Sequence, residues 1–325
     1  MTSAPKIDVV RDEEALSVLV VEWSELWERD AGATPFQSPA WLVPWLRCFA
    51  GHEWLVVAMR RAGRLIGILP LFLVDDAHGR RLLPMGAGIS DYLDGVFDPG
   101  VGSAEAAFLI AALEEWRALD LPQLPPASPL LHAPAPDAWS DDRRPAEPCP
   151  VIPLPVVLSR RMRQNLRYYR RRIERGGIVH AIATGRDEAL ALLECLFTLH
   201  GARWRSRGSP GVLADETVRQ FHRRAVSALA DLGLLRMHVL RRDGTPVAVG
   251  YMLAAKGRAY DYITGFDPEV AALGAGTVLV GCAIEAAVAE GAREFDFLRG
   301  REAYKYRWGA CDRPTFGRRL RSRRG

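Results

Sequence analysis

The sequence predicts an α/β protein built from two similar units in tandem. Its 325 residues are about twice the length of an average domain, roughly 150 residues. Two regions alternate the patterns of helices and strands, and a proline-rich segment separates them. The composition, 49% apolar and 25% charged with a net charge of +4, is typical of a globular protein.

In the first region, apolar residues at helical spacing predict a helix over Glu13–Arg29. Two strands, Trp54–Met59 and Leu65–Val74, are predicted on either side of a turn that contains Gly63. A second helix is predicted over Ser103–Leu119. This region therefore has the helix and hairpin pattern of one α/β unit.

The second region repeats this pattern in part. Helices and strands are predicted over seven segments: helices at Asp187–His200, Asp215–Leu232 and Thr277–Glu290, and strands at Leu235–Arg241, Val247–Ala255, Arg258–Thr264 and Glu294–Leu298. The order of these elements indicates an internal repeat of structure, without a repeat of sequence.

A proline-rich segment, Leu121–Pro155, joins the two regions and contains eleven prolines. Apolar residues within it, such as Leu130 and Trp139, predict an ordered, extended crossing and not a disordered linker. The predicted domains are residues 1–155, which include this segment, and 156–325. The arginine-rich end, Arg318–Arg324, is expected to fray.

Ser159–Gly177 is the most charged segment and contains eight arginines. An apolar face at helical spacing, Ser159 as N-cap and a glycine pair at the end predict a helix. Two interpretations stay open for its cationic faces. They are either solvated surface, or a surface for phosphate groups of a cofactor, a substrate, a nucleic acid or a lipid.

The five cysteines are widely spaced, without a C-x-x-C pair or a Cys/His cluster, so we expect reduced thiols and no metal site. Neither a signal peptide nor an apolar run long enough to span a membrane is evident in the sequence. A cytoplasmic protein without an integral membrane segment is therefore expected.

Two segments near the end of the chain have the residue types of a binding site. Small residues at Gly274–Thr277 precede a predicted helix, and a helix N-terminus favours anions. In "FDFLRGREAYKYRWG", Phe295–Gly309, a predicted buried strand runs into three aromatic and four cationic residues between Arg299 and Trp308. Those cations suit phosphate or carboxylate groups, and the aromatic side chains suit stacking on a ring or a sugar.

Several motifs together resemble the acetyltransferase domain of the CelD/BcsL group, which is similar to Fem-type proteins of the GNAT superfamily. The motifs include "SRRMRQNLRYYRRRIERGG", "LHGARWRSRG", "YDYITGFDPE", "SDYLDGVFDPG" and the segment Gly274–Trp308. The resemblance covers about Phe36–Trp308. It implies two GNAT-like units, each a mixed central sheet flanked by helices. It also implies acyl transfer to an amine or a hydroxyl, often in exopolysaccharide or envelope biosynthesis.

The resemblance implies acetyl-CoA or another acyl-CoA as cosubstrate, and no metal. The residues expected to bind it are Gly274, Ala275, Gly276, Thr277, Arg163 and Arg167. One departure concerns the phosphate loop, because Ala271 stands where simple GNAT enzymes have arginine or glutamine. Fem-type relatives use aminoacyl-tRNA, so the donor stays open.

Acyl transfer from a thioester needs a base, a held donor and hydrogen bonds to the carbonyl oxygen. We expect Asp261 to be the base, with Asp91 as its rival, and Lys305 and Tyr304 to be further catalytic residues. Asp296 is equally open to a structural role. The residues expected to bind substrate are Tyr92, Arg203, Trp204, Tyr260, Tyr262, Arg299, Tyr306, Arg307 and Trp308.

Three functions are consistent with these features. The first is an acyl-CoA-dependent N-acetyltransferase acting on an amino sugar or another envelope or exopolysaccharide precursor, with a small molecule or saccharide as acceptor. The second is a Fem-like transferase that uses charged tRNA. The third is a non-catalytic scaffold that binds anions, with peripheral membrane contact through its basic segments.

Overall fold

The chain forms two compact units in the computed structural model, which describes residues 4–51, 53–77, 79–205 and 208–323. The first unit comprises Met1–Glu147 and Pro314–Gly325, and the second comprises Pro148–Arg313. The second unit therefore begins inside the proline-rich segment, a few residues before the predicted boundary. The end of the chain, predicted to belong to the second domain, belongs to the first unit.

The first unit has one sheet and four α-helices among its described residues. The helices are α1 (Glu13–Arg29), α2 (Pro39–Phe49), α3 (Ser103–Ala111) and α4 (Pro129–His132). The strands are β1 (Lys6–Val10), β2 (Trp54–Arg61), β3 (Arg64–Asp76), β4 (Gly79–Pro84), β5 (Val96–Phe97), β6 (Ala118–Leu124), β7 (Trp139–Pro145) and, from the end of the chain, β15 (Phe316–Ser322). The sheet order is β1-β2-β3-β4-β6-β15-β7, with β5 paired to β3.

The second unit has a seven-stranded sheet. Its helices are α5 (Arg160–Arg175), α6 (Arg186–Arg205), α7 (Glu216–Asp231), α8 (Pro268–Ala271), α9 (Ala275–Ala289) and α10 (Ala303–Arg307). Its strands are β8 (Cys149–Pro153), β9 (Ile178–Ile182), β10 (Leu235–Arg242), β11 (Thr245–Ala255), β12 (Arg258–Phe266), β13 (Glu294–Asp296) and β14 (Cys311–Arg313). The sheet order is β14-β8-β13-β12-β11-β10-β9.

The two sheets have the same plan. Each starts with four antiparallel strands, β1 to β4 or β9 to β12. The fourth strand pairs in parallel with β6 or β13, and two antiparallel strands complete the sheet. The prediction of tandem α/β units, each with a mixed sheet flanked by helices, is confirmed.

Each unit has its own apolar core. In the first unit, buried side chains of β3, such as Leu69 and Leu71, pack with Leu109 of α3. In the second unit, Leu166 of α5 and Ile284 of α9 pack with Phe295 of β13. The apolar runs that predicted β2 and β3 are almost continuously buried, because both faces of these strands are covered.

The predicted helix Ser103–Leu119 is wrong beyond Ala111. The chain makes a short 3₁₀ turn, passes Arg117 in a left-handed conformation with φ of 60°, and enters β6 at Ala118. Leu113 and Leu119 are both fully buried. The apolar residues after α3 thus continued a helical spacing in the sequence, although the helix ends at Ala111 and a strand begins at Ala118.

The proline-rich segment is ordered, as expected, and contains β7, β8, α4 and part of β6. The expectation that the arginine-rich end frays is wrong for the described residues up to 323. β15 pairs with β6 on one side and β7 on the other. Arg318 is 0% exposed, and its guanidinium bonds both carboxylate oxygens of Asp141 at 2.8 and 2.9 Å. Arg324 lies outside the described residues.

Candidate active site

The second unit contains a cleft of about 310 Å³. It is lined by side chains and backbone from α5, α6, β12, α9 and α10. The lining residues are Met162, Asn165, Tyr169, Arg203, Asp261, Tyr262, Thr264, Phe266, Gly276, Thr277, Val280, Tyr304, Arg307 and Trp308. Eight of them were predicted as site residues from the sequence: Arg203, Asp261, Tyr262, Gly276, Thr277, Tyr304, Arg307 and Trp308.

The cleft lies where β12 and β13 separate. The parallel pairing of β12 with β13 covers only Arg258 to Tyr260 of β12, whereas β12 continues to Phe266. β13 ends at Asp296, and the chain then turns through Leu298, which has φ of 59°. The parallel pairing of β12 with β13 thus ends at Tyr260, beside the start of the cleft lining.

An irregularity in β12 places Asp261 in this cleft. Opposite β12, Tyr251 pairs with Ile263 and Met252 pairs with Asp261, so Tyr262 is an extra residue on its strand. Such a bulge interrupts the alternation of side chains between the two faces of a sheet. Asp261 and Tyr262, which regular alternation would place on opposite faces, both line the cleft.

Asp261 is the cleft residue best suited to accept a proton. It is 7% exposed, and burial raises the pKa of its carboxyl to about 6. The Lys305 ammonium and the Thr264 hydroxyl, which lies 3.5 Å away, lower this pKa, and Glu302 raises it. A carboxylate with a pKa near neutral pH can accept a proton from a nucleophile and release it again.

Tyr304 lies close enough to Asp261 for the two groups to interact electrostatically. Burial raises the pKa of the Tyr304 hydroxyl well above its ordinary value, and the charge of Asp261 raises it further. The hydroxyl therefore stays protonated at neutral pH and can donate a hydrogen bond into the cleft. A potential proton acceptor and a potential hydrogen-bond donor thus line the same cleft.

Arg203 contributes positive charge to the cleft wall. Its guanidinium lies 4.3 Å from the ring centre of Phe266, and its Nη1 donates to the carbonyl of Thr264 at 3.2 Å. Both partners belong to β12, so β12 fixes the position of the charge. Trp204, the next residue, does not line the cleft and packs near His200, with ring centres 5.9 Å apart. Ser206 and Arg207 of the same motif lie outside the described residues.

Lys305, predicted to be catalytic, does not line the cleft. It is 3% exposed, and its Nζ donates to the carbonyls of Leu298, Arg299 and Gly300 at 3.0, 2.7 and 3.1 Å. It also forms an ion pair with Glu302 at 2.9 Å. These three carbonyls and the carboxylate satisfy the N–H donors of the Lys305 ammonium, so the position of Lys305 indicates a structural role.

The turn before α9 is packed against α5. Gly274 has φ of 80° and precedes α9, and a Cβ at this position would overlap the ring of Tyr169. Gly276 and Thr277 in the first turn of α9 line the cleft, whereas Ala275 is fully buried. Glycine at 274 is therefore explained both by its backbone conformation and by the close approach of α5.

The structure brings other predicted residues to different places. Tyr260 is fully buried in the sheet. The Tyr306 hydroxyl donates to Asp312 at 2.6 Å. The side chain of Arg299 does not line the cleft.

Among the predicted residues of α5, Arg163 bonds the carbonyl of Leu158 at 2.6 Å. Arg167 lies on a separate groove of the same helix. Neither of them lines the cleft. The helix itself is confirmed, because the Ser159 hydroxyl accepts from the Met162 amide and α5 ends at Arg175.

Two predicted residues, Asp91 and Tyr92, belong to the first unit. Tyr92 is buried, and its carbonyl accepts a hydrogen bond from Gln37 at 2.8 Å. Asp91 is partly buried. The cleft of the second unit is lined by neither of them.

Sequence reasoning missed Met162, Asn165, Tyr169, Thr264, Phe266 and Val280 as lining residues. Strand alternation links Tyr262, Thr264 and Phe266, so this signal was available once Tyr262 was chosen. The three residues of α5 gave no such signal, because the sequence does not show which element covers the helix.

Asp296, for which the sequence left a structural role open, has that role. It is fully buried, its Oδ1 accepts from the Leu298 amide at 2.7 Å, and its other carboxylate oxygen lies 3.3 Å from Arg313. It therefore fixes the turn after β13.

Comparison with known proteins finds a similar domain and similar folds. Residues 160–306 match the family model Acetyltransf_6, described as "Acetyltransferase (GNAT) domain". FemX has a similar structure, with a TM-score of 0.68, 10% identity and coverage of 96% of both chains. L-PGS from Bacillus licheniformis is similar with a TM-score of 0.63 and 13% identity, covering 97% of this chain and 93% of the other.

No curated protein matches the chain. Residues 160–306 of the second unit are thus similar to GNAT acetyltransferase domains, and the fold of the chain is similar to the folds of FemX and L-PGS. The domain match supports a transferase. The finer resemblance to the CelD/BcsL group stays a prediction.

Within the described ranges, no helix is both long and apolar enough to cross a membrane. The same part of the chain holds no group of three or more His, Cys, Asp or Glu side chains arranged to bind a metal ion.

Proposed function

We propose that the second unit transfers an acyl group from acetyl-CoA, or another acyl-CoA, to an amine or hydroxyl of a small or saccharide acceptor. The observation that carries this proposal is the Asp261 carboxyl, which lines the cleft of a GNAT domain and has a pKa of about 6. At neutral pH this carboxyl is ionised in most protein molecules and is therefore able to accept a proton.

In the proposed reaction, the acceptor nitrogen or oxygen attacks the thioester carbonyl carbon. Asp261 takes the proton that the acceptor loses. The tetrahedral intermediate then breaks its C–S bond, so the acyl group stays on the acceptor and coenzyme A leaves as a thiolate. Tyr304 donates a hydrogen bond to the departing sulfur, and Asp261 later returns its proton to water.

The carbonyl oxygen gains negative charge during the attack. In this proposal, backbone N–H groups on the edge of β12 that faces β13 stabilise this charge. The donor lies along that edge, with its phosphate groups towards Gly276 and Thr277 at the start of α9.

The lining supports a polar, ring-shaped acceptor such as an amino sugar of an envelope or exopolysaccharide precursor. Tyr262 and Tyr304 offer aromatic faces to a sugar ring, and Arg203 and Arg307 offer charged donors. The resemblance to the CelD/BcsL group supports the same acceptor class.

The test is an assay of free thiol release from acetyl-CoA and longer acyl-CoA donors, with a panel of amino sugars. We expect turnover with the full-length protein and a large loss in Asp261→Asn. Absence of turnover across the donor and acceptor panels would count against the proposal.

A second candidate is transfer of an amino acid from aminoacyl-tRNA, favoured by the eight arginines of the Ser159–Gly177 segment, all of which lie in α5. Transfer of a labelled amino acid that ribonuclease abolishes would support it. Salt-sensitive anion binding without any turnover would instead support the non-catalytic scaffold.

A further inference from the structure

A second cavity, of about 310 Å³, lies on α5 and is strongly cationic. We call it the α5 groove, and define it by its lining residues, Gln164, Arg167, Tyr168, Arg171, Arg172 and Arg175. Glu174 is the only acidic residue of α5. Like charges three and four residues apart destabilise a helix, and a bound anion removes that repulsion.

The segment on the other side of the cleft carries no cation of its own. From Pro268 to Glu290, which includes α8, the turn and all of α9, the sequence has neither lysine nor arginine. A phosphate group near the start of α9 therefore needs its counter-charge from another element. Backbone N–H groups supply only partial charges.

Arg172 of α5 reaches this turn. Its Nη1 donates to the carbonyl of Ala272 at 2.7 Å, two residues before Gly274. The ring of Tyr169, one helical turn earlier, packs on Gly274 itself. The end of the α5 groove that contains Arg172 is thus anchored beside the first turn of α9.

The cleft and the α5 groove share one side of α5. Asn165 and Tyr169 line the cleft, whereas Tyr168 and Arg172 line the groove. Tyr168, Tyr169 and Arg172 follow Asn165 by three, four and seven residues. These spacings place all four side chains next to one another on one side of the helix. A ligand in the cleft that extends past Tyr169 meets the arginines of the groove.

We propose that the α5 groove binds the phosphate groups of the donor whose acyl end occupies the cleft. Arg171, Arg172 and Arg175 supply the positive charge that the turn and α9 lack. Arginine suits this role because its planar guanidinium offers paired N–H groups to phosphate oxygens. This inference rests on the proposed function, since it takes coenzyme A as the donor.

The test compares coenzyme A binding to the full-length protein with binding to Arg171→Gln and Arg172→Gln. Arg161→Gln is the matched control, because Arg161 is exposed on the same helix and outside the groove. We expect the Kd for coenzyme A to rise about tenfold in each groove variant, as for the loss of one hydrogen bond to a charged group. The control should bind as the wild type does.

Two further probes identify the phosphates and show that the variants are folded. Dephospho-CoA lacks the 3′-phosphate, and pantetheine lacks all the phosphates. Pantetheine should bind equally to wild type and groove variants, whereas a variant with a structural defect would lose it. If dephospho-CoA shows the same tenfold difference, the groove holds the diphosphate, and if the difference disappears, it holds the 3′-phosphate.

The possible failures are distinct. If wild type does not bind coenzyme A, or binds deacylated tRNA in its place, the proposed donor is wrong. If wild type binds coenzyme A and the groove variants bind it equally well, the donor stands and the role of the α5 groove is overturned.

Discussion

Replacement of Asp261 by asparagine tests the proposed chemistry most directly. Asparagine has nearly the same shape as aspartate but cannot take up a proton at neutral pH. General base catalysis contributes about 100-fold to 10,000-fold to a rate. We therefore expect Asp261→Asn to lower kcat by about 100-fold or more, which is about 2.7 kcal/mol of transition-state stabilisation.

The pH dependence provides a sharper criterion, because the ionised carboxyl is the active form. With a pKa of about 6 for Asp261, about a tenth of the carboxyl is ionised at pH 5 and about nine tenths at pH 7. The rate should thus fall about tenfold between pH 7 and pH 5. A carboxyl with the ordinary pKa of 3.8 would be almost fully ionised at both.

The assay is thiol release measured from pH 5 to pH 8 under saturating donor, for wild type, Asp261→Asn and Thr264→Val. Because the Thr264 hydroxyl lowers the pKa of Asp261, its loss should move the acidic limb to higher pH. Asp261→Asn should lose that limb altogether. An asparagine variant that keeps both its rate and the wild-type pH profile would refute the assignment of Asp261 as base.

Three further predictions follow from the second unit and from β15. Tyr304→Phe should lower kcat about tenfold by removing a donor from the cleft, while Tyr306→Phe, which loses an exposed contact outside it, should leave kcat unchanged in the same assay. Lys305→Met should lower the free energy of unfolding by about 3 kcal/mol in urea titrations, because buried carbonyls lose their partner, and an unchanged urea midpoint would contradict the structural role. In the residual activity of this variant, loss of the Lys305 charge should raise the pKa of Asp261 and shift the acidic limb of the pH profile to higher pH. Arg318→Met should destabilise the protein by about 3 kcal/mol, whereas Arg319→Met, at an exposed position on the same strand, should change the urea midpoint little.

Helices α1, α5, α6, α7 and α9 and the β2–β3 and β10–β11 hairpins could be predicted because their signals are local, whereas α2 was not predicted. The β10–β11 turn, for example, uses Asp243 and Gly244, both with positive φ, 49° and 78°, as a two-residue hairpin requires. The choice of Asp261 as base came from its strand and its neighbours. What the sequence could not show is the bulge at Tyr262 that turns Asp261 into the cleft, because a bulge depends on the pairing of two strands.

Lys305 shows why residue type alone misleads about a site. A rare lysine between two tyrosines indicates a binding residue if the segment is a surface loop. The segment instead turns back on itself after β13, with Leu298 and Gly300 at φ of 59° and 110°, and the ammonium holds that turn together from inside. Whether a cation faces a ligand or a set of carbonyls depends on backbone conformation, which the residue composition of the segment does not encode.

The burial of the arginine-rich end also depends on residues that are distant in sequence, so it could not be predicted from the segment alone. β8 follows β7 directly along the chain but pairs in the second sheet, while β15, from the end of the chain, takes the corresponding place in the first. Seen alone, the run from Arg318 is a charged terminal segment with only one apolar residue, Leu320. Its burial follows from Asp141 on β7, far away in sequence, whose charge and position compensate the guanidinium of Arg318. Removal of the residues after Arg313 should therefore destabilise the first unit, because it leaves β6 and β7 without the strand that joins them.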